Sequence, residues 1–448
     1  MRIRPARRIS GALSLPGDKA ISHRAAIISA LARGVSRIEN FSTGEDCAST
    51  LSCLKDLGVR VEINAGGVEV EGVGLQGLRA PRAPLDCRNS GSTMRMLAGV
   101  LSGQNFESTL TGDDSLRARP MKRIIEPLEL MGALVESESG RAPLHITGNK
   151  PLKAISYKMP VPSAQVKSCV LLAGLYARGE TRVIEPRNAT RDHTERMLSW
   201  YGAKVNQSAK DDESASLNII SLAPPAALNA RDFRVPGDIS SAAFFIAAAS
   251  LLPGSRLLIK GVGLNPTRTQ FISILRSLGA DVRAEVKDVD RWGIWSGLNE
   301  PYGEVAVRGG AGLAPATEQE SNVLRGALIP QLIDELPMLA VLGTQVVGGL
   351  SIRDASELRL KETDRIAATA QNLRAMGVEV EEHEDGLTIQ ALTHLRGARL
   401  NSHGDHRIAM AFAVAALLAE GESEIEGAEC VSVSFPEFYT LLESVVER

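Results

Sequence analysis

One pattern returns six times along the 448 residues, and no single motif constrains the fold as much. The first copy, LPGDKAISHRAAIISALARGVSRIENFSTGEDCASTLSCLKDLGVRVE from Leu15 to Glu62, parses as a helix, a short strand, a second helix, the dipeptide Leu-Gly and another strand. It returns as NSGSTMRMLAGVLSG with RPMKRIIEPLELMGALVE, and as PSAQVKSCVLLAGLYARGETRVIEP with TERMLSWYGAKV. It returns again as PGDISSAAFFIAAASLLPGSRLLIKG with FISILRSLGADV, and as IDELPMLAVLGTQVVGGLSIRD with DRIAATAQNLRAMGVEVE. A sixth copy, HGDHRIAMAFAVAALLAEGESEIEG, leads to a last helix between Phe435 and Val446. Gly58, Gly132, Gly202, Gly279 and Gly377 recur at roughly 70 to 100 residues, each just after a second helix. A glycine there suits the left-handed residue that stops a helix before a strand. Units this long are small βα modules rather than solenoid repeats, and six divide into two groups of three.

A chain of this length exceeds one ordinary hydrophobic core. The division is expected at LPGD (Leu15 to Asp18) and VPGD (Val235 to Asp238), the two Pro-Gly-Asp turns, each at the head of a unit's first helix. Residues 1–17 and 236–448 then form a discontinuous domain carrying both termini, and 18–235 an inserted domain of three repeats.

Composition excludes several function classes. Lys plus Arg number 50 against 53 Asp plus Glu, a net charge of -3, so no bulk positive field is available to hold nucleic acid. The five cysteines are scattered and never spaced Cys-x-x-Cys, which argues against a disulfide framework or zinc ribbon and for a reducing cytoplasm. Apolar runs such as Ala242 to Leu252 are too short to span a bilayer, and the basic opening MRIRPARRIS lacks the apolar stretch of a secretory signal. GVGLQG (Gly72 to Gly77) has dinucleotide-fingerprint spacing but is followed by Pro81 and Pro84 rather than a helix. His403, Asp405 and His406 lack a further metal ligand and read better as a helix cap with an anion contact.

The positive signal is the placing of cations. Lys19, Arg24, Arg95, Lys167 and Arg407 lie in the first turns of unit helices, with Arg119 before Pro120, and Lys361 and Arg365 in LRLKETDR. A helix start already carries partial positive charge, so local stability does not favour cations there. Any one alone reads as a solvated surface charge. Repeated at the same place in several units, they imply a site for several anionic groups.

LPGDKAISHR, RNSGSTMR, TGDDSLRARPM, SAQVKSCVLLAGL, TRDHTERML, IDELPMLAV, ELRLKETDRIAA and GDHRIAMAFAVAAL together resemble the 5-enolpyruvylshikimate-3-phosphate synthase family, in order and over nearly the whole chain. The resemblance implies an α/β fold of two similar domains, each of three βαβαββ modules in an inside-out barrel, with the active site in the cleft between them. It implies transfer of the enolpyruvyl group of phosphoenolpyruvate to shikimate 3-phosphate with release of phosphate, on the route to chorismate. The cysteine pattern adds a cytoplasmic setting, and with no hydrophobic patch that demands a dimer a monomer is expected. The partners are those two substrates; no cofactor, metal, nucleic acid or membrane is expected.

Carried over by position, the resemblance gives Asp334, Glu362 and Lys19 catalytic roles: Asp334 as acceptor of the hydroxyl proton, Glu362 in proton transfer at the methylene. It assigns shikimate 3-phosphate to Lys19, Ala20, Arg24, Ser163, Ala164, Gln165, Arg191, Asp334 and Lys361. Phosphoenolpyruvate falls to Lys19, Gly91, Arg119, Gln165, Arg365 and Arg407. Arginine forks suit its carboxylate and phosphate. From the residues alone, Asp334 also reads as a helix cap and Glu362 as an ion-pair partner. Ala20 and Ala164 stand where many members carry hydroxyls, and Val433 where one branch has a Lys. The alternatives are the UDP-linked amino-sugar enolpyruvyl transferase and a non-catalytic scaffold. SAQVK and LRLKETDR disfavour the first, and the retained cations and carboxylates the second. Crowded cations also predict an empty enzyme that stays open until substrate neutralises them, and Gly91 predicts a phosphoenolpyruvate pocket accessible to glyphosate.

Overall fold

A helix that is apolar all round can satisfy itself only in the interior. The computed structural model describes residues 1–186, 190–212, 215–287, 300–310, 312–315, 322–391 and 394–448. In it every residue of His406–Leu417 and of Leu336–Gly343 is buried, as is all of Ile239–Leu251 except its last residue. The second helices bury one face. Lys122–Leu130 buries Ile124, Ile125, Pro127 and Leu128, and Gln270–Ser277 buries Phe271, Ile272, Ile274 and Leu275. Such spacing marks an amphipathic helix on the outside of its core.

Helix starts and stops follow the sequence closely. Asp18, Ser90, Ser163, Asp238, Asp364 and Asp405 each cap a helix by accepting a backbone N–H from its first turn. The five recurring glycines all have positive φ, between 85° at Gly279 and 98° at Gly202. Each donates its N–H three residues back while the next residue donates five back, as in Gly58 to Lys55 at 2.9 Å and Val59 to Leu54 at 3.0 Å. This double bond is the Schellman stop, and only glycine takes its left-handed residue without strain.

The strands pair in one order five times: a parallel pair, then two antiparallel neighbours. Leu228–Asn229 lies parallel to Ala32–Glu39, which pairs antiparallel with Gly67–Val73, and that with Arg60–Asn64. The order repeats in Leu85–Asp86, Glu107–Thr111, Arg141–Thr147 and Leu134–Glu138, and in Ser156–Lys158, Thr181–Pro186, Ala215–Ala223 and Lys204–Asp212. It returns in Arg8–Ser14, Arg256–Gly263, Tyr302–Arg308 and Asp281–Val286, and in Val323–Leu324, Leu350–Ile352, Gly386–Ile389 and Val380–His383. The sixth sheet is shorter, with Arg399–Asn401 beside Ser423–Glu426 and the N-terminal Arg2–Ile3.

Packing divides the chain into two compact units. One holds Met1–Pro16 and most of the chain after Pro236; the other holds Gly17–Val235. Each has its own cluster of buried apolar side chains. Glu300, which the sequence reading leaves in the terminal domain, belongs to the inserted unit, where its Oε1 lies 2.7 Å from Nδ1 of His193. At the first crossing a Cβ on Gly17 would lie 1.8 Å from the Asn40 carbonyl oxygen, so the turn accepts no other residue without moving backbone. Among the described residues no helix is long and apolar enough to cross a membrane.

Candidate active site

In the inserted unit the Lys19–Ala30 helix places Lys19 half-buried at its first position, with Nζ 2.9 Å from Oδ2 of Asp46. Four residues after Ala20, Arg24 is buried: Nε donates to the Thr194 hydroxyl at 2.6 Å, Nη1 to the Ala20 carbonyl at 2.8 Å and Nη2 to Ser168 at 2.7 Å. Between Lys19 and Arg24 lies His23, whose Nδ1 is 2.7 Å from Thr50 Oγ1 and whose buried Nε2 finds no partner. Burial, with Lys19 and Arg24 nearby, holds this imidazole well below its usual pKa.

Gly91 opens the next helix, Gly91–Ser102, and faces two guanidinium groups. A Cβ there would lie 2.6 Å from Nη1 of Arg95 and 3.4 Å from Nη1 of Arg119. Arg95 donates to Oε1 of Gln165 at 2.7 Å, and the Gln165 amide donates to Ser92 at 2.9 Å. Arg119 is anchored through Nη2 to Asn89 Oδ1 at 2.6 Å. Gly91, Arg119 and Gln165 are thereby brought together, with Arg95 between them. Ser163 caps the Ala164–Gly174 helix, and the Ala164 carbonyl accepts the Ser168 hydroxyl at 2.7 Å. Arg191 stands half-buried just ahead of the His193–Trp200 helix.

The terminal unit gathers the rest. Arg365 begins the Arg365–Ala375 helix and is 1% exposed. Nε donates to Oδ2 of Asp405 at 2.7 Å, Nη2 to Oε2 of Glu362 at 2.6 Å, and Nη1, which makes no hydrogen bond, lies 3.8 Å from Oδ1 of Asp334. Burial alone would lower its pKa, yet Asp405, Glu362 and Asp334 raise it, so the cation is permanent. Arg407 donates through Nη1 to the Asp334 carbonyl at 3.0 Å and holds Nη2 3.6 Å from Oδ2 of the same residue. Lys361 is half-exposed by area yet surrounded by protein. Burial lowers its pKa against the pull of Asp334, and Arg365 adds to the lowering. Asp334, Lys361, Glu362, Arg365 and Arg407 thus form one constellation of three cations and, with Asp405, three carboxylates.

Two sequence expectations change. Lys167 does not face an anion site: it is fully buried, with Nζ 2.8 Å from Glu185 and 2.7 Å from Glu195. GVGLQG finishes the Gly67–Val73 strand in a turn with no helix after it, as its prolines led the sequence reading to expect. The premise that crowded cations lack counter-charges fails, because Asp46, Asp405 and Glu362 already answer Lys19 and Arg365. Sequence reasoning missed Asp46 and Asp405 as members of the site. Both sit at helix starts, where a carboxylate reads first as a cap. His403 is exposed and Asp405 is taken by Arg365. The one metal-like grouping among the described residues is Asp192, His193 and Glu300. There His193 Nδ1 lies 2.7 Å from Glu300 Oε1 and Arg196 Nε donates to Asp192 Oδ2 at 2.8 Å, so both carboxylates already have protein partners.

These arrangements define a class: a repeat-built α/β protein whose buried guanidinium groups and poised carboxylates are the equipment for proton-coupled transfer between small anions. The sequence pattern of EPSP synthase (3-phosphoshikimate 1-carboxyvinyltransferase) matches residues 3–442. The chain is 51% identical over 449 aligned positions to the 3-phosphoshikimate 1-carboxyvinyltransferase of Koribacter versatilis, covering 100% of this chain and 99% of the relative. It is 50% identical to that of Solibacter usitatus with the same coverage. A solved EPSP synthase from Acinetobacter baumannii superposes with a TM-score of 0.82 at 40% identity, covering 99% of this chain and 98% of that one. The chain belongs to the EPSP synthase family.

Proposed function

We propose that this enzyme transfers the enolpyruvyl group of phosphoenolpyruvate to the 5-hydroxyl of shikimate 3-phosphate, releasing phosphate, in the shikimate route to aromatic amino acids. Family membership over the full length supports the activity. The observation that carries the site is Arg365, held by Glu362 and Asp405 with one nitrogen turned toward Asp334. In this reading phosphoenolpyruvate draws on Gly91, Arg119, Gln165, Arg365 and Arg407. Shikimate 3-phosphate draws on Ala20, Arg24, Ser163, Ala164, Gln165, Arg191 and Lys361, and Lys19 serves both. Arg24 keeps this role through whatever donors remain after Thr194, Ser168 and Ala20.

The reaction is an addition followed by an elimination. A proton adds to the methylene carbon, the 5-oxygen bonds to the neighbouring carbon, and Asp334 takes the hydroxyl proton. The bond from that carbon to the phosphate oxygen then breaks, and loss of a methyl proton restores the double bond. Glu362 handles the proton at the methylene, and Lys19 steadies the charge that develops. The same reading includes three modules per unit closed as an inside-out barrel, and action as a cytoplasmic monomer.

Phosphate release measured with shikimate 3-phosphate and phosphoenolpyruvate tests the activity; release with UDP-N-acetylglucosamine as the only acceptor would overturn it. Asp334→Asn and Glu362→Gln should each lower turnover about a hundredfold to ten-thousandfold while shikimate 3-phosphate binding, followed by calorimetry, persists. Near-normal turnover in either would remove that carboxylate from the chemistry.

A further inference from the structure

Leu328–Leu332 and Leu336–Gly343 meet at a three-residue joint, Ile333, Asp334 and Glu335. The two carboxylates of this joint go separate ways. Asp334 keeps 16% of its side chain exposed and points its oxygens toward Arg365 and Arg407. Glu335 is 5% exposed, and its Oε1 accepts the hydroxyl of Ser240. The Ser240 oxygen in turn accepts Nη2 of Arg268 at 2.5 Å, and Arg268 lies 3.9 Å from Asp238, the cap of the Ile239–Leu251 helix.

A buried carboxylate is costly unless it is hydrogen-bonded, and packing alone would be met by an apolar residue. The proposed reaction makes no direct use of Glu335. What it does require is Asp334 held at a fixed place, because proton transfer tolerates little displacement. The joint is gripped from two sides. Arg407 holds the Asp334 carbonyl at 3.0 Å, while the Glu335 side chain ties the next residue to Ser240 on a buried helix. Its backbone N–H also closes on the Leu332 carbonyl at 2.8 Å.

We propose that Glu335 is a positioning residue, anchoring through Ser240 and Arg268 the joint that presents Asp334 to its substrate. The proposal rests on reading Asp334 as the proton acceptor. Burial first, then the adjacent Asp334 charge, raise the Glu335 pKa, with Arg268 and Arg407 opposing. The anchor is therefore a hydrogen-bond acceptor before it is a charge, and a glutamine can supply the same oxygen.

The test is steady-state kinetics with shikimate 3-phosphate and phosphoenolpyruvate on Glu335→Ala, Glu335→Gln, Ser240→Ala and Asp334→Asn, each normalised to folded protein by circular dichroism. Glu335→Ala should lower kcat about a hundredfold, the scale of an ångström of misplacement, with both KM values close to the parent's. Glu335→Gln should restore most of that loss, and Ser240→Ala should fall between. If Glu335→Ala does not fold, the contrast between a depressed Ser240→Ala and an active Glu335→Gln decides the same question. Near-parental kcat in Glu335→Ala or Ser240→Ala beside an inactive Asp334→Asn overturns the positioning role alone. Near-parental turnover in Asp334→Asn overturns the reading of Asp334 and this proposal with it.

Discussion

At Gly91 the nearest atoms to an added methyl are the far ends of two arginine side chains, which can move, rather than backbone, which cannot. Gly91→Ala should therefore fold normally and displace the Arg95 guanidinium by a few tenths of an ångström or more. On the proposed reading, in which Gly91 lines the phosphoenolpyruvate pocket, the longer glyphosate should feel this most. Its inhibition should weaken by about tenfold or more, from an overlap cost of about 1–3 kcal/mol. Unchanged inhibition constants at matched phosphoenolpyruvate saturation would show that access at Gly91 is not limiting. His23 yields a pH prediction. Its folded pKa lies below the unfolded value near 6.5, so in acid the unfolded chain binds a proton that the folded chain refuses. Its contribution to stability is intact above about pH 6.5 and is lost below it, with a slope of up to about 1.4 kcal/mol per pH unit. His23→Gln should flatten the fall in urea-unfolding free energy between pH 7 and pH 5; parallel curves would refute the assignment. At this scale the sequence revealed which residues are cations but not which way they face. Arg24 and Lys167 look alike in a string, one charge near a helix start, yet each is turned inward by hydroxyls or carboxylates from elements far along the chain.

Between the Ala164–Gly174 and His193–Trp200 helices, two consecutive residues on each side make parallel links: Ser168 to Thr194 at 2.7 Å and Lys167 to Glu195 at 2.7 Å. Glu185 completes the ion group from the Thr181–Pro186 strand. Removing the one cation leaves two carboxylates buried together, so Lys167→Met should destabilise the inserted unit by about 3–5 kcal/mol. Urea unfolding would read this directly, and a loss below about 1 kcal/mol would show the charges are solvated after all. Helix caps and stops were legible because they are local: an aspartate or serine accepts from its own first turn, and a glycine closes its own last turn. The parallel strand of the first module was not legible. Leu228–Asn229 pairs with Ala32–Glu39 across nearly the whole inserted unit, and two residues carry no periodicity to announce it.

Two separate apolar clusters imply two cooperative bodies. Phe438 sits in the terminal unit's core, edge-on to Phe244, Phe245 and Phe435 at 5.7–5.9 Å. Phe438→Ala should cost that unit about 3–5 kcal/mol and leave amide protection in Gly17–Val235 unchanged. Equal loss of hydrogen-exchange protection in both units would mean the chain melts as one. The sixfold count and the two Pro-Gly-Asp turns were readable because each repeat must cap, bury and stop its own helices. Glu300 was not, since one glutamate among many gives no sign that it answers His193.

The stitching of both chain ends into one unit sets an order of assembly during translation. Arg8–Ser14 is made about 240 residues before its parallel neighbour Arg256–Gly263, and its antiparallel neighbour Val446–Glu447 follows later still. At about 5–20 residues per second the first wait is roughly 10–50 s. Every strand of Gly17–Val235 finds its partner within that stretch, so this body can close on the nascent chain while the opening strand remains an unpaired edge. The segment most in need of a chaperone is thus Arg8–Ser14, made before the body that folds ahead of it.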